Sequence, residues 1–289
     1  MRSKIWAVVL LLVLAGLGIG RPSKPVITYV TCLYDIGRGN IQQYKRSFQY
    51  YLDFFAKLLK TPTNLIIYGE ASLKDFIDQH GRTSANTVFV EYPVEKFKER
   101  WFAPIMEEAR KEYMSQGNNQ RLRREPQFVL PDYNRIMFSK IFMVEEALKV
   151  HDKWGTDFFL WFDGGGVHVF GEVVSQNEDK LARFAQYTQR PVFFNTFTAN
   201  NMYMNFPQGT RPYTDKHVDL TKCILGTSMA FSREAITNFR TAFENLLKWT
   251  LVNKHFNSDE SVFTLMMYRF PYLVSAYGGW PVVDNVWTQ

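Results

Sequence analysis

The run Phe158–Phe162 (FFLWF) constrains this chain more than any other segment. Five consecutive large apolar side chains with no polar alternation describe a strand covered on both faces. Such strands belong inside parallel sheets held between two helical layers. The run stops abruptly at Asp163-Gly164-Gly165-Gly166, a carboxylate followed by three glycines. Other extended segments flank it in sequence: Val26–Leu33, Asn64–Tyr68, Thr87–Tyr92, Pro191–Phe197 and Cys223–Phe231. Between them lie segments of helical periodicity, Tyr44–Lys60, Lys96–Tyr113, Asn134–Val150 and Ala235–Leu251, with a short one inside His255–Tyr272. Ser115–Pro126 is read as a polar, basic loop. Strands alternating with helices predict an α/β fold, one domain with a mostly parallel central sheet flanked by helices. Phe158, Phe159, Trp161 and Phe162 would load the centre of that sheet.

Composition narrows the function classes. With 46% hydrophobic residues the chain can build a sizeable core, which excludes a disordered protein. Two cysteines, Cys32 and Cys223, exclude a disulfide scaffold and a Cys-rich zinc site; one bridge between them and two buried thiols both remain open. The net charge of +6 is mild, and Arg2 and Lys4 supply part of it outside the fold. That balance suits anionic small molecules or a membrane surface and argues only weakly for nucleic acid, which is not expected as a partner. Residues 1–24 put those two bases before an apolar run ending at Gly18, Gly20 and Arg21-Pro22, the pattern of a cleaved secretory signal or of a type II signal anchor. The domain is therefore expected over residues 25–289, in the secretory pathway, either secreted or held by that segment.

In an open α/β sheet ligands bind beyond the carboxyl ends of the strands, where the strand order reverses. Three segments qualify. Asp163 with its glycines could hold a divalent cation and a diphosphate, or close a tight Asx-type turn. The loop Asp35–Asn40 offers Asp35 to a nucleoside and Arg38 to a phosphate, or is a surface turn. Asp259-Glu260, at the start of a helix, could supply a general base for an acceptor hydroxyl or merely cap the helix. Lys140 is either a solvated lysine or a cation facing the diphosphate. His168, His217 and His255 could complete a metal site or serve as ordinary hydrogen-bonded groups. Arg121, Arg123 and Arg124 form a solvated loop or a lid over an anionic donor, and Tyr203, Phe206, Tyr277 and Trp280 could stack on a sugar. No G-x-S-x-G, H-E-x-x-H or P-loop pattern is present, so serine hydrolase, zincin and ATPase chemistry lack their usual anchors.

The stretch Val30-Thr31-Cys32-Leu33-Tyr34-Asp35-Ile36-Gly37-Arg38, followed by Tyr44 and Arg46, resembles the opening of the HtrL/YibB family, also called WlaTC/HtrL-type glycosyltransferases. Asn64–Gly69, Tyr133-Asn134 with Ser139-Lys140, Phe159–Gly166, and Ser258-Asp259-Glu260 with Pro271 are similar to later parts of that pattern. The resemblance implies a GT-A-like glycosyltransferase of hexosyltransferase type, moving a sugar from a nucleotide-sugar donor to a hydroxyl of a glycan, protein or lipid. It implies a donor site at Thr31, Asp35, Arg38, Lys140, Asp163, Gly164 and Gly165, with Asp259 and Glu260 catalytic. It further implies Mn²⁺ or Mg²⁺ at Asp163, although the second aspartate of a D-x-D motif is replaced here by Gly165. Two rivals are a secreted carbohydrate-binding protein that keeps the fold without catalysis, and a glycoside hydrolase using a carboxylate pair.

Overall fold

The computed structural model describes residues 25–41, 46–115, 125–166, 192–198, 222–254, 256 and 258–278. In chain order they form β1 (Ile27–Leu33), α1 (Phe48–Leu59), β2 (Asn64–Gly69), α2 (Leu73–Gln79), β3 (Thr87–Glu91), α3 (Ala103–Ser115), α4 (Pro126–Val129), α5 (Pro131–Glu146), β4 (Phe158–Phe162), β5 (Val192–Thr198), β6 (Lys222–Ser232), α6 (Ile236–Val252), α7 (Asp259–Arg269) and β7 (Val274–Gly278). The strands make one seven-stranded sheet in the order β3-β2-β1-β4-β6-β5-β7. β1 pairs in parallel with both β2 and β4, β6 runs against β4 and β5, and β7 is parallel to β5. The α/β fold with a mixed, mostly parallel sheet is thus the one the sequence predicts.

The two faces of the sheet follow from the period-2 alternation of its strands. On β1, Tyr29 and Leu33 point to one side with Phe158 and Phe162 of β4, and pack on Phe55, Leu58 and Leu59 of α1 and Leu73 and Ile77 of α2. Val30, Cys32, Phe159 and Trp161 point to the other, against Met106 of α3, Phe138 and Ile141 of α5, Phe243 of α6 and Phe263 of α7. β4 is therefore covered on both faces, as its unbroken apolar run requires.

Several boundaries differ from the sequence reading for identifiable reasons. The first helix begins at Phe48, where the Ser47 side chain accepts a hydrogen bond from the Tyr50 amide. The predicted helix 96–113 is two pieces, a 3₁₀ turn Val94–Glu99 and α3, because Pro104 suits only a first helical turn. Pro131 starts α5 three residues earlier than the apolar periodicity does, and α5 ends in a π-helical turn, Ala147–His151. α4 lies at the end of the stretch read as a polar loop. α7 stops before Pro271, and β7, too short and mixed to register as a strand, follows it. Cys32 is a buried free thiol, so it makes no bridge to Cys223, whose side chain is outside the described residues. No helix among the described residues is long and apolar enough to cross a membrane, and segment 1–24 lies outside them.

Candidate functional site

β1 has its parallel partners β2 and β4 on opposite sides, so the chain reverses its winding there. The loops leaving β1 and β4 diverge at that point and leave a crevice. It is a cleft of about 240 Å³, lined by both loops, by α1 and α5, by Gly226 and Thr227 of β6, and by the start of α7. Asp35, Arg38, Lys140, Asp163, Gly164, Gly165, Asp259 and Glu260, scattered over the sequence, all line it. Thr31 does not. It lies on the face of β1 opposite Cys32 and two residues short of Leu33, which lines the cleft at the strand's end; its hydroxyl is fully buried and lacks a hydrogen-bond partner among the described residues.

Asp163 leaves β4 with its amide donating to the Thr227 carbonyl at 2.9 Å, which fixes the strand end against β6. Its Oδ1 accepts from Trp161 Nε1 at 2.7 Å. Two residues apart on one strand, the indole and the carboxylate share a side, so this orienting contact follows from strand geometry. Burial pushes the Asp163 carboxyl upward, while Lys140 and Trp161 pull it back. The carboxylate keeps 29% exposure to the cleft.

The sequence leaves Lys140 either a solvated lysine or a cation facing the diphosphate; it is not solvated, being among the largest fully buried side chains. Its Nζ lies 3.1 Å from Asp163 Oδ1 and 2.9 Å from Asp259 Oδ2, and donates to the Gly226 carbonyl at 2.9 Å. Burial works against the ammonium, but the two carboxylates outweigh it and hold its pKa above the ordinary lysine value. Lys140 therefore stays charged across the working range of pH, and its charge is spent on two acids.

Asp259 and Glu260 open α7, but neither acts as a simple cap. Asp259 is 2% exposed and locked to Lys140. Glu260 Oε1 accepts from the Gly226 amide at 3.2 Å. Burial, with the negative charge of Asp259 beside it, raises the Glu260 carboxyl to about 7. The adjacent acids thus have different environments: one is committed to an ion pair, the other poised to exchange a proton near neutrality.

On the opposite wall Arg38 lies over the rings of Tyr51 and Tyr133, 5.5 and 5.6 Å from their centroids. Arg46 lines the same cleft. Asp35 accepts from the Gly37 amide at 3.0 Å, and Gly37 takes a left-handed φ of 74°, so the surface-turn reading of this loop holds while Arg38 still faces the cleft. Cys32 also lines the cleft, but burial and the nearby Asp163 raise its pKa and keep it a thiol. Tyr51 and Trp161 were not singled out as site residues, and Arg46, Tyr133 and Gly226 stand only in stretches that resemble the family, Gly226 in the segment Gly226–Phe231 that resembles an acceptor-side strand. Tyr51 reads as one more apolar position of α1.

The glycines after Asp163 answer to the chain's own packing. A Cβ on Gly164 would sit 2.6 Å from the Cys32 carbonyl oxygen, and one on Gly165 would enter the Tyr51 ring at 2.4 Å. Gly226 is equally confined, with Asp259 Oδ2 2.8 Å from its would-be Cβ. Gly164→Ala should therefore push the two ligand loops apart. We expect about 1–3 kcal/mol of destabilisation in chemical unfolding, together with weakened ligand binding; an unchanged midpoint would contradict this packing.

Among the described residues, the set around Asp163 does not fit a divalent cation. Such ions gather six or more oxygens, whereas Asp163 already holds an indole N–H and an ammonium. Among the described residues no three His, Cys, Asp or Glu side chains gather to hold a metal. His168, His217 and His255 lie outside them, as do Arg121, Arg123, Arg124, Tyr203, Phe206 and Trp280 and the side chain of Tyr277.

The HtrL_YibB family model, described as a bacterial protein of unknown function, matches residues 25–283. No curated protein matches the chain. Among solved structures it is similar to core-mannan synthase A from Aspergillus fumigatus in an Mn/GDP form, at 11% identity and a TM-score of 0.52, over 89% of this chain and 74% of that one. It is also similar to mouse xyloside xylosyltransferase 1 (13% identity, TM-score 0.47, 87% and 84% covered). A third similar structure is 4-diphosphocytidyl-2C-methyl-D-erythritol synthase from Anaerococcus prevotii (12% identity, TM-score 0.41, 89% and 88% covered). The likeness to the mannan synthase is one of fold, and the fold is GT-A-like.

Proposed function

The chain belongs to the HtrL_YibB family, and from that premise we propose that it is a glycosyltransferase taking a nucleoside-diphosphate sugar as donor and a hydroxyl of a glycan, protein or lipid as acceptor. The observation that carries the proposal is the polarity of one cleft at the sheet's switch point. Arg38 and Arg46 line it together with Asp163, Lys140, Asp259 and Glu260. Guanidinium groups suit a diphosphate. Asp163, oriented by Trp161, suits a donor hydroxyl. Glu260 suits the proton of the acceptor. In the transfer, Glu260 takes the acceptor's proton as its oxygen bonds to the anomeric carbon. The bond from that carbon to the diphosphate oxygen breaks, and the nucleoside diphosphate leaves. A single displacement of this kind inverts the anomeric centre.

A hydrolase pairing Asp163 with Asp259 or Glu260 is the weaker reading, because the Lys140 ammonium is bound to both Asp163 and Asp259 and takes up the charge such a pair would use. Nucleotidyl transfer on the same fold would release pyrophosphate instead. Thermal stability measured across UDP, GDP, CDP and their sugar conjugates tests the binding half of the proposal. At least one should raise Tm in wild type; no stabilisation by any of them sinks it. With the residues 1–24 as they stand, we further propose that the domain works beyond a membrane in the secretory pathway.

Because the Glu260 carboxyl sits near 7, it is largely neutral below that pH and anionic above it. Transfer should therefore rise as pH climbs through 7, and Glu260→Gln should lose that limb along with about 10²–10⁴-fold of rate. A residual rate in Glu260→Gln that keeps the wild-type limb would assign the base elsewhere.

A further inference from the structure

We propose that Lys140 holds, as a fixed part of the chain, the position a divalent cation takes between carboxylates in a metal-dependent transferase, so that this protein binds nucleoside diphosphates without added metal. The inference rests on the transferase reading and deepens it.

Three observations converge. First, the Lys140 ammonium touches both carboxylate oxygens of Asp163, one of Asp259 and the Gly226 carbonyl, an oxygen set of the kind that hard cations collect. Second, Gly165 stands two residues after Asp163, where a second carboxylate could have reached a metal, and the Tyr51 ring closes that space to any side chain. Third, the cleft holds its own cations for a diphosphate. Arg38 lies over the rings of Tyr51 and Tyr133, and Arg46 lines the same cleft. A guanidinium seated over two aromatic rings has fewer rotamers open to it, so less entropy is lost when it pairs with phosphate. A divalent ion added beside Lys140 would instead face an ammonium about 3 Å from the oxygens it must share.

The division of labour differs from that in a metal site. There, one ion neutralises the carboxylates and the diphosphate together. Here Lys140 neutralises the carboxylates, and the arginines of the β1 loop and the approach to α1 take the diphosphate.

Isothermal titration of the full chain with UDP, GDP and CDP, in EDTA and again in millimolar Mn²⁺, tests this. The Kd of the preferred nucleotide should agree within about twofold between the two buffers. Tightening of tenfold or more in Mn²⁺ would overturn the proposal and leave the transferase reading intact. Absence of binding in both buffers would remove both. A second measurement needs no nucleotide: the free-Mn²⁺ electron paramagnetic resonance signal should be undiminished by the wild-type protein. A one-to-one site lost in Asp163→Asn would contradict the inference. Lys140→Met should reverse the pattern, gaining Mn²⁺-dependent thermal stabilisation that wild type lacks. If that variant does not fold, the wild-type titrations still decide.

Discussion

Lys140→Met should lower the stability of the fold by about 3–5 kcal/mol, the cost of leaving buried carboxylates without their counter-charge. In a chain of this size that corresponds to a fall in Tm on the order of 10 °C. The expectation comes from the geometry of one ammonium, which is 2% exposed and shared by Asp163, Asp259 and the Gly226 carbonyl. Methionine fills nearly the same volume, so the loss isolates charge from packing. The pH dependence fixes the sign. Without the ammonium, Asp163 and Asp259 face each other as anions, and protonating either relieves the repulsion. The deficit relative to wild type should therefore be largest near neutrality and shrink as pH falls toward the carboxylate range. Adding Asp163→Asn should recover part of the loss, because the two sites share one ion pair and their effects cannot add. Matching denaturation midpoints for Lys140→Met and wild type would mean that the ammonium lies elsewhere.

Asp163→Asn should abolish transfer, by about 10²–10³-fold or more in kcat/KM, while costing the fold far less than loss of Lys140. The side-chain amide can occupy the same space and still accept from Trp161 Nε1 through its oxygen. It cannot carry the charge that orders Lys140 and meets a donor hydroxyl. The variant thus separates site chemistry from scaffold, and the same protein sample should show a near-native unfolding curve. A loss of activity matched by global unfolding would assign Asp163 a structural role.

Much of this site was legible in the sequence, for physical reasons. A strand buried on both faces must be apolar throughout, so FFLWF announced the sheet centre, and the switch-point rule then pointed past its end to Asp163. The same rule led to Arg38, and helix-start chemistry to Asp259 and Glu260. All of these line one cleft. The function of Lys140 was harder to read. α5 is buried on most of its circumference, so a lysine on it has no exposed face to occupy, and only the arrival of Asp259 from far along the chain explains its burial. Thr31, in the motif that marks the family, is fully buried within β1, short of the strand end where Cys32 and Leu33 reach the cleft. The glycines were rightly taken as sites of close approach, although what approaches Gly164 is the Cys32 carbonyl rather than a ligand. The role of Trp161 in orienting Asp163, and the contact of Gly226 with Lys140, became visible only once β6 was paired with β4.

The central claim is that this cleft transfers a sugar from a nucleoside diphosphate. Its most direct test is release of nucleoside diphosphate from a panel of UDP-, GDP- and CDP-sugars, in the presence of hydroxyl acceptors or water, by wild type, Asp163→Asn and Glu260→Gln. Wild type should release nucleoside diphosphate, not pyrophosphate, from at least one donor, and both variants should lose that release while remaining folded. Undiminished release by Asp163→Asn, or pyrophosphate as the product, would contradict it.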